Sequence, residues 1–376
     1  MRFPGKALPS SVAARALLFV LLLGVANTGC KPVEKPEQAI TADWQNGTLT
    51  FVDYDSLVAG EVPEKQTLDL SSYLPGALEV EVTPDRKTAL VTVSTGFFRI
   101  PGSALLVGGD GPPPSPTGKL LFVDLTSKQI AAAIDTGEDP NGIAITPDGK
   151  RAFITHFTSG TMAVVDIAAR QVLQTVEIGP LAEEIAFDST GTVGIFSVGI
   201  TGEVRTFAVA DLAGTLSPPL NLTGDSAGVA FFPGTKIAYV VQALNFFLRL
   251  PGGYSLIDVS NPRSPVVLQD PRPSDSIGYA ATPIPERKSV IVSGSMAGKL
   301  VLREYKLAGN DIALIRSLPV MDAQFFGPFA MKADGFGHVL SALPKERAVV
   351  VTDLQTEAST IIPWAPKAGP TDIDVF

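Results

Sequence analysis

Short runs of apolar and β-branched residues, separated by Gly, Pro and Asp, recur along most of the chain, and this spacing predicts many short strands rather than helices. The pattern is clearest over residues 140–179, PNGIAITPDGKRAFITHFTSGTMAVVDIAARQVLQTVEIG. Residues 143–146 read as a first strand. Pro147, Asp148 and Gly149 then form a tight turn, in which Pro fixes φ and Gly supplies positive φ. Residues 151–156 make a second strand, Gly160 marks a reversal, residues 161–167 a third strand and 172–178 a fourth, before Gly179 and Pro180 restart the pattern.

The Pro-x-Gly start, the Pro-Asp-Gly-Lys turn and the Val-Val-Asp that closes the third strand make this unit resemble the YVTN, or surface-layer, type of β-propeller repeat. Weaker copies begin near Gly76, Pro180, Ser226, Ser276 and Phe326. The C-terminal segment PTDIDVF, residues 370–376, reads as one more first strand with nothing after it, whereas the domain opens near Ile40 on later strands only. Together these imply an all-β, seven-bladed propeller of four-stranded antiparallel blades, with the C-terminal strand completing the N-terminal blade; six or eight blades are the alternative counts. Closing the ring leaves only short sheet edges. Seven blades over residues 40–376 take about 48 residues each, within the usual range of such repeats.

Composition agrees with this reading. A chain of 376 residues with 35 Gly, 31 Pro and 18% charged residues is too punctuated for a helical bundle, and at 45% hydrophobic it is too apolar for disorder. With a net charge of −9 and no basic patch it offers no grip on phosphates, so no nucleic-acid partner is expected.

One Cys excludes a disulfide framework and directs attention to the N-terminus. Arg2, Lys6 and Arg15 precede the apolar stretch 16–26, too short to span a bilayer and of the length of a secretory signal core. Asn27, Thr28, Gly29 and Cys30 resemble a bacterial lipobox, with Asn27 where an aliphatic residue is usual. Residues 1–29 are therefore expected to be a cleaved signal peptide, Cys30 a lipidation site, and residues 30–39 a Pro-rich tether ahead of one propeller domain. The resulting expectation is a monomer anchored by lipid at the bacterial envelope, on the outer-membrane or periplasmic side, with a soluble periplasmic protein as the alternative.

Asp53, Asp124, Asp166, Asp258 and Asp353 recur at the ends of third strands, with Glu304 and Ala208 in the remaining two blades, and are read as acceptors for the following turn rather than a metal ring. Two connections outgrow the repeat. One carries Phe97, Phe98 and Arg99, the other Phe246, Phe247 and Arg249, each followed by Pro-Gly. Enlarged loops with aromatic residues beside Arg are the candidate contacts for a protein, peptide or glycan. Two His and no Cys-x-x-Cys-His exclude a three-His metal site or covalent haem, no nucleophile elbow is present, and no metal or other cofactor is expected. The expected function is a non-catalytic binding or scaffolding module. The alternative is a lactonase-like hydrolase or lyase using channel carboxylates, with His156, Glu183 and Glu184 as its candidate residues. Strict alternation along a strand would send Glu183 and Glu184 to opposite faces.

Overall fold

In the computed structural model, seven four-stranded antiparallel sheets form a closed ring. The structure describes residues 34–73, 76–94, 118–199, 201–243, 252–273, 277–296, 298–322, 330–364 and 369–376. Blade three is the sequence repeat made visible: Pro140–Ile145, Arg151–His156, Thr161–Asp166 and Gln171–Glu177 follow one another across the sheet. Its Pro-Asp-Gly turn forms as the sequence predicts. Gly149 adopts φ 70°, and Asp148 accepts from the Thr146 hydroxyl at 2.7 Å and the Lys150 N–H at 3.1 Å.

Burial falls steadily from the second strand to the fourth. Second strands such as Val193–Val198 (VGIFSV) are buried along their whole length, because both faces of each sheet pack against a neighbouring sheet. Fourth strands form the rim, and Gln171–Glu177 is exposed at nearly every position. The large apolar clusters lie one at each blade junction. Between blades three and four, for example, Phe153 stacks on Phe207 at 5.6 Å between ring centroids, with Phe196 and Ile185 packed alongside.

The first strands are the ones that meet around the axis: Asp372–Val375, Ala77–Val82, Pro140–Ile145, Ala182–Phe187, Asp225–Phe231, Ile277–Ile284 and Ala330–Ala333, in blades one to seven. Hydroxyls of the second strands fasten blade two to blade three and blade three to blade four. Thr155 accepts the Gly142 N–H at 2.9 Å and donates to the Glu183 carbonyl of blade four at 2.8 Å, and Thr92 does the same with Glu79 and Asn141. Such buried groups must be satisfied on both sides, which accounts for Ser or Thr at these positions.

Closure occurs where the sequence places it. The C-terminal strand pairs antiparallel with Gln38–Asp43, Ile373 facing Thr41 and Val375 facing Ala39. The Thr371 hydroxyl reaches the carbonyls of Ala42 at 3.0 Å and Leu78 at 2.9 Å, and Phe376 packs edge-on against Phe51. Asp53, Asp124, Asp166, Asp258 and Asp353 each accept backbone N–H groups of the turn that follows. In blade six Glu304 is buried instead between Arg287, Ser289 and Arg316.

Candidate acidic channel

The innermost strands carry Asp372 and Asp374 in blade one, Glu79 and Glu81 in blade two, Glu183 and Glu184 in blade four, Asp225 in blade five and Lys332 in blade seven. Seven carboxyls thus share the axis of the described ring with one ammonium group, and Tyr279 of blade six lies among them. Blade three brings no charge, since its strand reads Pro-Asn-Gly-Ile-Ala-Ile.

Most of these groups hold the ring together. Asp372 accepts the Val80 N–H and Asp374 the Val82 N–H, both at 2.8 Å, while Glu79 accepts the Ile143 N–H at 3.0 Å. Each bond runs from the first strand of one blade to that of the next. Lys332 lies 3.0 Å from Asp374 and 3.3 Å from Glu81. Burial works against its charge, but Asp374 and Glu81 outweigh burial and hold the ammonium protonated.

Glu183 and Glu184 differ. Neither carboxylate has a hydrogen bond or ion pair to any described residue. Glu184 stands at the position that Glu79 occupies in its own blade: the N–H of each bonds a second-strand hydroxyl, Ser197 at 3.2 Å and Thr92 at 3.3 Å. Glu79 then spans to the next blade and Glu184 does not. Contrary to the simple alternation expected from sequence, the pair sits in a bulge: Ala182 faces Val198 and Ile185 faces Phe196, so two residues oppose Ser197 alone. From there Glu184 adds to the repulsion that Glu183 feels.

Their electrostatics follow from this crowding. Burial, then repulsion from Asp225 and Glu184, pushes Glu183 well above the usual carboxyl range. Burial raises Glu184 to about 7. Glu81 also rises to about 7, burial outweighing the pull of Lys332. Glu79 and Asp372 are raised in the same direction, first by burial, with Glu184 and Asp372 adding to it for Glu79. The Tyr279 phenol is held protonated by burial and by Glu183, Glu184, Asp225 and Glu79. At neutral pH the channel therefore holds partly protonated carboxyls able both to donate and to accept. Among the described residues no three His, Cys, Asp or Glu side chains converge as they would on a metal ion.

His156 occupies the second strand of blade three and is fully buried. Its Nδ1 lies 3.2 Å from the Thr161 carbonyl and its Nε2 3.1 Å from the Thr136 hydroxyl, so Nδ1 carries the proton and Nε2 accepts. Burial lowers its pKa to about 4. No hydrogen bond or ion pair joins it to Glu183 or Glu184. Cys30, Phe97, Phe98, Arg99, Phe246, Phe247 and Arg249 lie outside the described residues. Glu79, Glu81, Asp225, Tyr279, Lys332, Asp372 and Asp374 were missed in the sequence, although acids at alternate positions of ALEVEV and DIDV, strands otherwise apolar, are a signal of a polar axis.

The ring is thus that of a seven-bladed β-propeller with an acidic axis. Solved structures agree on the fold. A functionally unknown protein from Desulfotomaculum acetoxidans superposes with a TM-score of 0.67 at 14% identity, covering 90% of this chain and 98% of its own. A periplasmic gluconolactonase of Pseudomonas aeruginosa gives 0.62 at 13% identity, again over 90% and 98%. The WD40 repeats of RRP9 give 0.58 at 10% identity, over 82% of this chain and 84% of that one. No protein-family model and no curated protein sequence matches the chain.

Proposed function

We propose that this propeller is an exported, lipid-anchored binding module of the bacterial envelope and that its ligand enters the channel at Glu183 and Glu184. The observation that carries the reading is the contrast just described: the carboxyls of blades one and two are engaged by backbone or by Lys332, and those of blade four have no partner among the described residues. A buried carboxyl costs free energy unless it is matched, so an unmatched pair kept on a rigid ring is poised for something brought from outside. The enlarged connections with Phe97, Phe98, Arg99, Phe246, Phe247 and Arg249 are proposed as outer contacts to a protein, peptide or glycan, and Cys30 as the anchor. Among the described residues no helix is long and apolar enough to cross a membrane.

The test is cross-linking in intact Gram-negative cells expressing the tagged full-length chain, comparing wild type, the Glu183→Gln/Glu184→Gln pair and the Arg99→Ala/Arg249→Ala pair. A partner recovered with wild type and lost from the Glu pair supports the channel, and loss from the Arg pair supports the outer loops. Equal recovery from all three overturns the reading. A second reading, acid-base hydrolysis of a lactone, is favoured by one observation, the pKa of Glu184 near 7. It predicts turnover of glucono-lactone by wild type and at least a hundredfold loss in Glu184→Gln, and it falls if wild type is inactive.

A further inference from the structure

The N-terminal strand fixes the face on which the chain enters the ring. Second strands start on the face where first strands turn back, and Gln38–Asp43 is the second strand of blade one. The residues just ahead of it are held on that face. Lys35 pairs with Asp55 and lies 5.5 Å from the Tyr54 ring centroid, its carbonyl accepts from Arg86 Nη1 at 3.1 Å, and the Glu37 carbonyl accepts the Tyr54 N–H at 3.0 Å. Tyr54 and Asp55 follow the third strand of blade one, and Arg86 belongs to the turn between the first two strands of blade two, so all of them mark the same turn face. Glu183 lies at the opposite end of its own strand, at the mouth of the channel. It is the second residue of Ala182–Phe187, and a Cβ built on Gly199, just past the second strand of blade four, would fall 2.2 Å from its Oε1.

Two lengths then set an orientation. A six-residue strand at about 3.3 Å per residue puts the turn face about 20 Å from the mouth. From Cys30 to Lys35 is five residues, which reach at most about 18 Å when fully extended. A lipid on Cys30 therefore holds the turn face at a bilayer and is tethered too closely to bring the mouth there. Connections 94–118 and 244–252 join second to third strands, so they start and end on the mouth side. The turn face also carries charge suited to such a surface. The residue just before the second strand is Lys in four blades, at Lys87, Lys150, Lys236 and Lys288, of which Lys236 is half-buried and the others exposed. Asp85 and Asp148 share two of these turns but are folded into them, each accepting a Thr hydroxyl at 2.7 Å and the lysine N–H at 3.2 and 3.1 Å respectively. The ion pair of Lys150 with Asp148, at 3.4 Å and exposed, holds the ammonium only weakly.

We propose that the ring sits on the membrane by its turn face, with Lys87, Lys150, Lys236 and Lys288 against the headgroups of anionic phospholipid and the mouth at Glu183 open to the opposite side. The proposal rests on Cys30 being the anchor. A lipid anchor alone leaves a domain free to swivel on its tether, and a basic surface supplies the second contact that orients it. Each lysine that reaches such a surface strengthens the contact by about fivefold, and salt weakens it. A ligand then reaches Glu183 from the aqueous side, not from the bilayer.

The test uses the acylated full-length protein in vesicles of phosphatidylethanolamine and phosphatidylglycerol that contain a lipid with a nitroxide on its headgroup. A fluorophore is attached through Ala169→Cys or Ser159→Cys, exposed positions at the turn-face and mouth ends of the third strand of blade three, while the lipid blocks the native Cys30 thiol. Quenching at residue 169 and none at residue 159 supports the proposal, as does a fall in quenching at residue 169 of at least about twofold in Lys87→Gln/Lys150→Gln/Lys236→Gln/Lys288→Gln or in vesicles of phosphatidylcholine alone. The four lysines lie outside the core, so this variant keeps its fold, and a cooperative thermal transition verifies it. Equal quenching at the two positions, or more at residue 159, overturns the orientation. Unchanged quenching in the four-lysine variant overturns the lysine contact. Mass spectrometry of the N-terminal peptide separates the two readings: without an acyl group the anchor falls and the orientation with it, whereas with the acyl group present a failure of the quenching pattern leaves the anchor standing.

Discussion

Truncating Ile373 to Ala probes the joint on which the ring depends. Ile373 is 2% exposed and packs with Ala39, Val52, Leu340, Val349, Val351, Ile362 and Trp364, joining the first strand of blade one to the rest of its own sheet and to blade seven. Removing three buried carbons from such a site costs about 3 kcal/mol, the transfer of the lost methyl groups plus the cavity they leave. For a ring of this size, whose unfolding entropy scales with its length, that corresponds to a fall in Tm of about 4 °C. Calorimetry on the full-length chain reads it directly. Leu173→Ala, on the exposed fourth strand of blade three at 56% exposure, serves as control and shifts Tm by less than about 1 °C. Limited proteolysis adds a second signature: loosening the latch raises cleavage within residues 370–376 before the rest of the ring opens. If Ile373→Ala matches the control in both assays, the C-terminal strand does not close the ring and the argument from its pairing fails.

Three further outcomes follow from other contacts. Thr155→Val leaves the Gly142 N–H and the Glu183 carbonyl without their shared hydroxyl, and chemical denaturation at pH 7 is expected to show a loss of about 2 kcal/mol. His338 of blade seven bonds Asp334 at 2.7 Å, with Tyr54 of blade one also donating to Asp334, and these contacts raise the His338 pKa, chiefly through Asp334, while burial opposes them. The stability from His338 is complete below its unfolded value near 6.5 and lost as pH rises through the higher folded value, so His338→Gln lowers Tm by about 2 °C at pH 6 and by less at pH 9. Glu184 is raised by burial to about 7, so its ionised form is disfavoured in the fold and its contribution is lost as pH rises from about 4.5 through 7; Glu184→Gln therefore raises Tm by about 2 °C at pH 8, screened by its partial exposure, and leaves it unchanged near pH 4.5.

The architecture was legible because it is local and repeated. The turn at Pro147, Asp148 and Gly149, the four strands of residues 140–179 and the solitary strand at 370–376 each follow from neighbouring residues, and the structure places them as the sequence implies. Boundaries moved where a bulge intervened: the first strand of blade three begins at Pro140 rather than near residue 143, because the ladder skips between Pro140 and Ile143. The same irregularity in blade four hid the relation of Glu183 to Glu184, since period-two alternation holds only in an unbroken strand. The rest of the channel was hidden for a different reason. Glu79 and Glu184 are 105 positions apart in the chain and act on one another only because the ring folds their strands around one axis. The N–H groups that occupy Asp372, Asp374 and Glu79 come from the next blade, so no local pattern separates these structural acids from the unpartnered pair.

The central claim is that the ligand meets the ring at the unpartnered carboxyls of blade four. It is tested most directly by an experimental structure of the full-length protein with the partner recovered from cells. The account predicts a group of that partner in the channel, within hydrogen-bonding distance of Glu183 and Glu184. A partner seated on the outer strands, with both carboxyls untouched, would contradict it.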